Sequence, residues 1–153
     1  MSRDELIMNL PDVRHFRQVF GDGHVVLPVV HVSSEEQAVR NAALARDAGS
    51  DGVFLINNVV GSRELLRIHS VVSRAFPDWW GGLNCLDLDP REVSARLSPQ
   101  VRGVWVDNAS IEEEQDAQAG AEAIRQARSS SGWTELYFGG VAFKYQRLAT
   151  PAM

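Results

Sequence analysis

Five near-continuous apolar runs constrain this chain more than any other feature, because strands of that kind need cover on both faces. They are Val25-Val26-Leu27-Pro28-Val29-Val30, Val53-Phe54-Leu55-Ile56, Gly81-Gly82-Leu83, residues 101–106, and a last run through Phe138 and Val141. None shows the apolar–polar alternation of a half-wet strand. Runs of this length, buried on both sides, are the mark of a parallel sheet covered by helices.

Helix-start signals follow the first four runs. Ser33-Ser34-Glu35-Glu36-Gln37 is a capping box in either register. Ala38, Val39, Ala42, Ala45 and Ala48 then make a small-residue face, with Gly49 or Gly52 as the stop. Ser62 is the expected cap of a helix whose Leu65, Ile68, Val72, Ala75 and Phe76 share one side, ended by Pro77. Asp89-Pro90-Arg91-Glu92 reads as a strong helix start, with Asp as cap and Pro in the first position. Ser110-Ile111-Glu112-Glu113-Glu114 repeats the pattern, and Ala117, Ala121, Ile124 and Ala127 supply the buried stripe. Ser129-Ser130-Ser131-Gly132 breaks that helix, and the fifth strand is expected from near Trp133.

The reading is one α/β domain over residues 1–153. Residues 1–24 form an N-terminal helical segment with a break or fresh start at Pro11, residues 25–145 the βα repeats, and residues 146–153 a tail. A chain of this size buries about 70% of its unfolded surface and needs no cross-links to hold a core. Two parallel architectures compete. A doubly wound, flavodoxin-like sheet of five strands fits 153 residues directly. A closed (β/α)8 barrel needs about 200–250 residues. Every one of the five runs, however, ends in polar groups: His31, Asn57-Asn58, Asn84 with Asp87 beyond, Asp107-Asn108, and Lys144-Tyr145. An open sheet needs such ends only beside its switch point, whereas a barrel brings all strand ends to one mouth. Parallel βα units of TIM-barrel type, incomplete at about five strands, are therefore the first expectation.

The segments Leu27-Pro28-Val29-Val30-His31-Val32 and Ala48-Gly49-Ser50-Asp51-Gly52-Val53-Phe54-Leu55-Ile56-Asn57-Asn58 resemble the first two βα units of BtpA/SgcQ-like barrel proteins. Gly82-Leu83-Asn84-Cys85-Leu86, Val104-Trp105-Val106-Asp107-Asn108 and Lys144 resemble that family's third, fourth and fifth strand ends. The resemblance spans residues 25–145 and implies a (β/α)8 barrel, in a family some of whose members are tied to photosystem accumulation. This chain departs from the pattern by lacking the last three βα units. An incomplete barrel exposes sheet edges, so association into a homo-oligomer is expected.

The bulk properties exclude several classes. Net charge is −5 and no Lys/Arg stripe forms, which argues against nucleic acid as the partner. No segment approaches the ~20 apolar residues of a membrane span. Asp4 and Glu5 precede Leu6-Ile7-Met8, unlike a secretory signal, and the single Cys85 fits a reducing compartment; a cytoplasmic location is expected.

The candidate chemistry sits at the strand ends. His31 is suited to acid/base work or metal ligation, or simply to hydrogen bonding with a neighbouring strand end. Asp107 and Lys144 form an expected charged pair, and Lys144 alone is suited to a Schiff base or to holding a phosphate. Asn57, Asn84 and Asn108, with Asp87, are the candidate ligand-binding groups, although Asn is also an ordinary turn residue. Asp87, Asp89 and Asp107 with His31 would suit a hard divalent cation such as Mg²⁺ or Ca²⁺, but Asp89 is already explained as a helix cap. His15, His24 and His69 read as surface or packing residues, Trp79, Trp80 and Trp105 as pocket lining or core, and Cys85 as a small buried hydrophobe. Gly139-Gly140 marks a close ligand approach or a bulge. No dinucleotide, Walker or nucleophile-elbow motif occurs. The functional expectation is a small-molecule ligand, such as a phosphorylated metabolite, at the strand carboxyl ends. The alternatives are a non-catalytic scaffold or a barrel fragment without its own activity.

Overall fold

The computed structural model describes residues 11–107 and 114–139, and of residues 11–13 and 114–117 the backbone only. Helix α1 (Pro11–Phe20) leads into strand β1 (Val29–Val32), helix α2 (Glu35–Asp47), strand β2 (Gly52–Asn57) and helix α3 (Ser62–Ala75). Strand β3 (Trp80–Asn84), a 3-10 turn (Val93–Arg96), strand β4 (Gly103–Val106), helix α4 (Glu114–Ser131) and strand β5 (Leu136–Gly139) complete the order. The five strands form one parallel sheet in the order β1-β2-β3-β4-β5. The α/β class, the parallel sheet and the alternation with helices thus agree with the sequence reading.

Period-2 geometry sorts the strand residues onto two faces. On one face Val30, Val32, Val53, Leu55, Leu83 and Val104 meet Ala38 and Ala42 of α2, Leu65, Ile68 and Val72 of α3, and Val93 of the 3-10 turn. The alanine stripe of α2 lets its backbone approach the sheet closely. Arg128 of α4 lies over the rings of Trp133 and Tyr137 on this same face. The opposite face carries an aromatic cluster: Phe54, Trp80 and Leu136, with Trp105 and Phe138. Helix α1 covers part of it, with Phe16 6.3 Å from Phe138 and Phe20 5.3 Å from Trp80, centroid to centroid.

Three glycines make room for this cluster, and a Cβ on the first, Gly52, would lie 2.9 Å from Trp80 Cε3. A Cβ on Gly82 would lie 2.6 Å from both Trp80 Cη2 and Phe54 Cε1, and one on Gly103 would lie 2.4 Å from Trp80 Cζ2. The Trp80 indole therefore reaches over Gly82 of its own strand and Gly103 of the next, where any side chain would collide.

Local expectations fared unevenly. Ser34, not Ser33, caps α2: its Oγ accepts from Gln37 N at 3.2 Å, while Gln37 Oε1 accepts from Ser33 N at 3.1 Å. The first strand begins at Val29 instead of Val25; Val26 bonds to Asp51 through N–H and carbonyl, and Pro28 has no N–H to give. The cap of α3 is Gly61, not Ser62, and Gly61 offers no side chain for the task. The helix expected from Asp89 is instead only the four-residue 3-10 turn. Asp89 does start a turn, accepting from Arg91 N at 2.8 Å, but Pro99 lies too near for a long helix to follow. The fifth strand starts at Leu136, three residues after Trp133, whose indole N–H donates to Val101 O at 3.0 Å. Residues 1–10, the helix start at Ser110 and the tail 146–153 lie outside the described residues.

Candidate functional site

The sheet register aligns the strand ends. His31 pairs with Ile56, and Ile56 with Asn84, so these three side chains form one row on the aromatic-cluster face. At the end of that row Asn84 Nδ2 donates to Asp107 Oδ1 at 3.0 Å. Asn84 is 2% exposed, whereas His31 and Asp107 are open to solvent. The expected Asp107–Lys144 pair has one member outside the described residues, and Asn108 lies there as well. Within the described residues Asp107 is instead held by the Asn84 amide. His31 is anchored through its backbone, its carbonyl accepting from Gln37 Nε2 at 3.1 Å. Its imidazole stands at the sheet edge, because β1 is the outermost strand.

Asn57 and Asp87 do something else. Asn57 pairs in register with Val32, which places it on the helix-covered face, opposite to Asn84. Its Nδ2 donates to Asp87 Oδ1 at 2.6 Å and its Oδ1 accepts from Leu86 N at 2.7 Å. Asp87 Oδ2 accepts from Ser62 N at 3.1 Å and from Ser62 Oγ at 3.0 Å. Asp87 is therefore the carboxylate cap of α3, supplied from 25 residues downstream. Burial by itself would raise its pKa. The Ser62 amide, the Asn57 side chain and the Ser62 hydroxyl outweigh that and hold the carboxyl below its ordinary value. The closed Asn57–Asp87–Ser62 network ties three chain segments together. The candidate amides thus divide between the two faces of the sheet: Asn84 beside Asp107, and Asn57 beneath the helices.

The carboxylates of the expected cation site go separate ways. Asp89 pairs with Arg91 at 2.6 Å, and that guanidinium holds its carboxyl down to about 2. Asp87 faces the start of α3, and Asp107 faces Asn84. Among the described residues no group of three His, Cys, Asp or Glu side chains gathers around a point where a metal could sit. Nor is any helix among them long and apolar enough to cross a membrane.

Ser62 has the composition of a cap and is instead what Asp87 caps. Of the two roles expected for His69, surface or packing, the structure shows the packing one, with the ring fully internal at 2% exposure. Its Nε2 donates to Gly81 O at 3.3 Å, which leaves Nδ1 to accept from Ser73 Oγ at 3.3 Å. Burial depresses its pKa, and the bond to the Gly81 carbonyl opposes that only in part. The His69–Ser73 spacing of four on one helix was the available signal. Cys85 is buried as expected, and burial, with the nearby Asp87 charge, pushes its thiol up to about 12.

In comparisons with known proteins, no protein-family model matches the chain, and no curated protein or solved structure matches it.

Proposed function

We propose that this chain is a barrel-type α/β protein that binds a small polar ligand at the carboxyl ends of its strands, on the aromatic-cluster face. The observation that carries this reading is the row His31–Ile56–Asn84 closing on Asp107 through the Asn84 hydrogen bond. It joins one imidazole, one buried amide and one carboxylate above an apolar floor, which suits orientation of a polar metabolite. Asn84 and Asp107 orient the ligand, and His31 is the proton donor or acceptor. The winding supports the barrel-type reading: among the described strands the order never reverses, so no switch point arises within the sheet. Lys144 and Asn108 belong to the same proposal through the resemblance to BtpA/SgcQ-like proteins.

The test is a titration of polar metabolites and their phosphate esters, followed by amide and side-chain NMR shifts. Ligands that bind are expected to move Asn84 Nδ2 and His31, and to lose binding in Asp107→Asn. Hits that leave those resonances still, or bind Asp107→Asn equally well, refute the site.

A second reading, association of copies as an assembly protein, draws on β1. Among the described residues that strand is a sheet edge, with Val29 41% exposed, and an apolar edge invites another strand. Light scattering on the purified chain separates the two: a dimer supports edge pairing, and a monomer removes it.

A further inference from the structure

After the 3-10 turn an irregular segment, residues 97–102, leads into β4 and runs beside the end of α3. A cleft of about 480 Å³ opens there, at the amino end of the sheet and away from the row of His31, Asn84 and Asp107. That volume falls within the ~300–1,000 Å³ of small-molecule sites. Its walls are of two kinds. Phe76, Pro77, Trp79 and Pro99 are its apolar lining residues, and Arg74 and Arg102 its charged ones.

The apolar wall is rigid. The Trp79 indole N–H donates to Ser50 O at 2.9 Å, and its ring meets Phe76 edge-on at 6.0 Å. Arg46 holds Phe76 in place, 5.4 Å from its ring centroid. Arg102 is anchored through its backbone, N donating to Gly81 O at 3.0 Å, and Arg74 through its guanidinium, Nη1 donating to Ser70 Oγ at 3.1 Å and leaving its other N–H groups to a ligand. Among the described residues neither guanidinium meets a carboxylate, although the chain is acidic overall at net charge −5. Two unneutralised forks beside a fixed aromatic wall match an anionic group on a flat apolar body.

We propose that this cleft is a second binding site, for a small aromatic anion whose phosphate or carboxylate is held by Arg74 and Arg102 and whose ring lies against Trp79. Arg102, next to the Gly81 backbone, grips the anion from the sheet side, and Arg74 grips it from the end of α3. The site is independent of the strand-end site, since no side chain is shared between them.

The experiment is an NMR titration of the whole chain with phenyl phosphate, benzoate, inorganic phosphate and phenol in parallel, reading the Trp79 indole N–H and the Gly81 amide. Saturable shifts at both are expected with phenyl phosphate or benzoate, whichever anion the forks prefer, at a Kd of about 1 mM or below. Inorganic phosphate and phenol should each bind about tenfold or more weakly, since each keeps only half of the recognition. Arg74→Gln and Arg102→Gln, both on exposed side chains, should each weaken binding about tenfold with near-ultraviolet circular dichroism unchanged. No saturable shift at ~10 mM of either aromatic anion, or unchanged affinity in both arginine variants, overturns the proposal. Shifts at Asn84 instead of Trp79 also overturn it. Asp107→Asn should leave this binding untouched, which keeps its failure apart from failure of the strand-end site.

Discussion

An alanine at position 103 tests whether the sheet is shaped around the Trp80 indole. The new methyl would lie 2.4 Å from Trp80 Cζ2 and 2.8 Å from Cη2, with Leu136 O at 3.3 Å. Carbon atoms pack best at about 3.5–4.0 Å, so the indole must retreat by roughly 1 Å. It has nowhere to go: Phe54 and Phe20 sit 5.0 and 5.3 Å away by ring centroid, and Phe138 6.2 Å. Overpacking of this kind costs about 1–3 kcal/mol. Replacing a strand glycine by alanine returns about 0.5–1 kcal/mol of backbone entropy. The midpoints of the two ranges leave a net loss of about 1.3 kcal/mol, and with a urea m-value of about 2 kcal/mol/M the transition midpoint should fall by about 0.6 M. The control is a double-mutant cycle with Trp80→Phe, which removes the colliding carbons. Trp80→Phe alone should destabilise by leaving a cavity, but Gly103→Ala in that background should be neutral or stabilising. An unchanged midpoint in Gly103→Ala, or the same loss in both backgrounds, would refute the argument that the glycine exists to seat the indole.

Three further outcomes follow from the network and the buried groups. Asp87→Ala strips the cap from α3 and leaves buried Asn57 without its acceptor, so chemical denaturation should report a loss of about 2 kcal/mol. Because the folded Asp87 pKa lies below its unfolded value, that contribution is present above about pH 4 and fades as pH falls lower; the wild-type and alanine curves should converge in acid. His69 is also depressed in the folded state, so the unfolded chain takes up the proton first. Its contribution is full above about pH 6.5 and declines below that by up to about 1.4 kcal/mol per pH unit, a slope that His69→Gln should flatten in urea midpoints measured across that range. Cys85, buried with its thiol pushed up to about 12, should react with a thiol reagent only as fast as the chain opens. Rapid stoichiometric labelling of the native protein would show that the thiol is not enclosed.

The clearest divergence between sequence and structure lies at residues 57, 62 and 87. Ser62 has the composition of a helix cap, and nothing local says otherwise. The actual cap is a carboxylate beyond the next strand, and a partner that far along the chain leaves no trace in local spacing. Asn57 and Asn84 look equivalent in sequence, since each closes an apolar run. Strand phase decides which face each takes, and a strand start displaced by one residue reverses the answer. The failed helix after Asp89 has a different cause: the start signal was real, but Pro99 stops the segment after ten residues.

By itself the sequence determined that this chain builds a parallel sheet from βα units, with polar groups where the strands end. That much follows from local physics, because apolar run length, helix caps and breakers act over a few residues. Only the tertiary structure decided the unreversed strand order, the face on which α1 lies, and the seating of Trp80 among three glycines. It alone separated Asn84 and Asp107 at the strand ends from Asn57 and Asp87 beneath the helices. Those outcomes depend on register and on contacts between distant segments, which are settled when the elements pack together and not before.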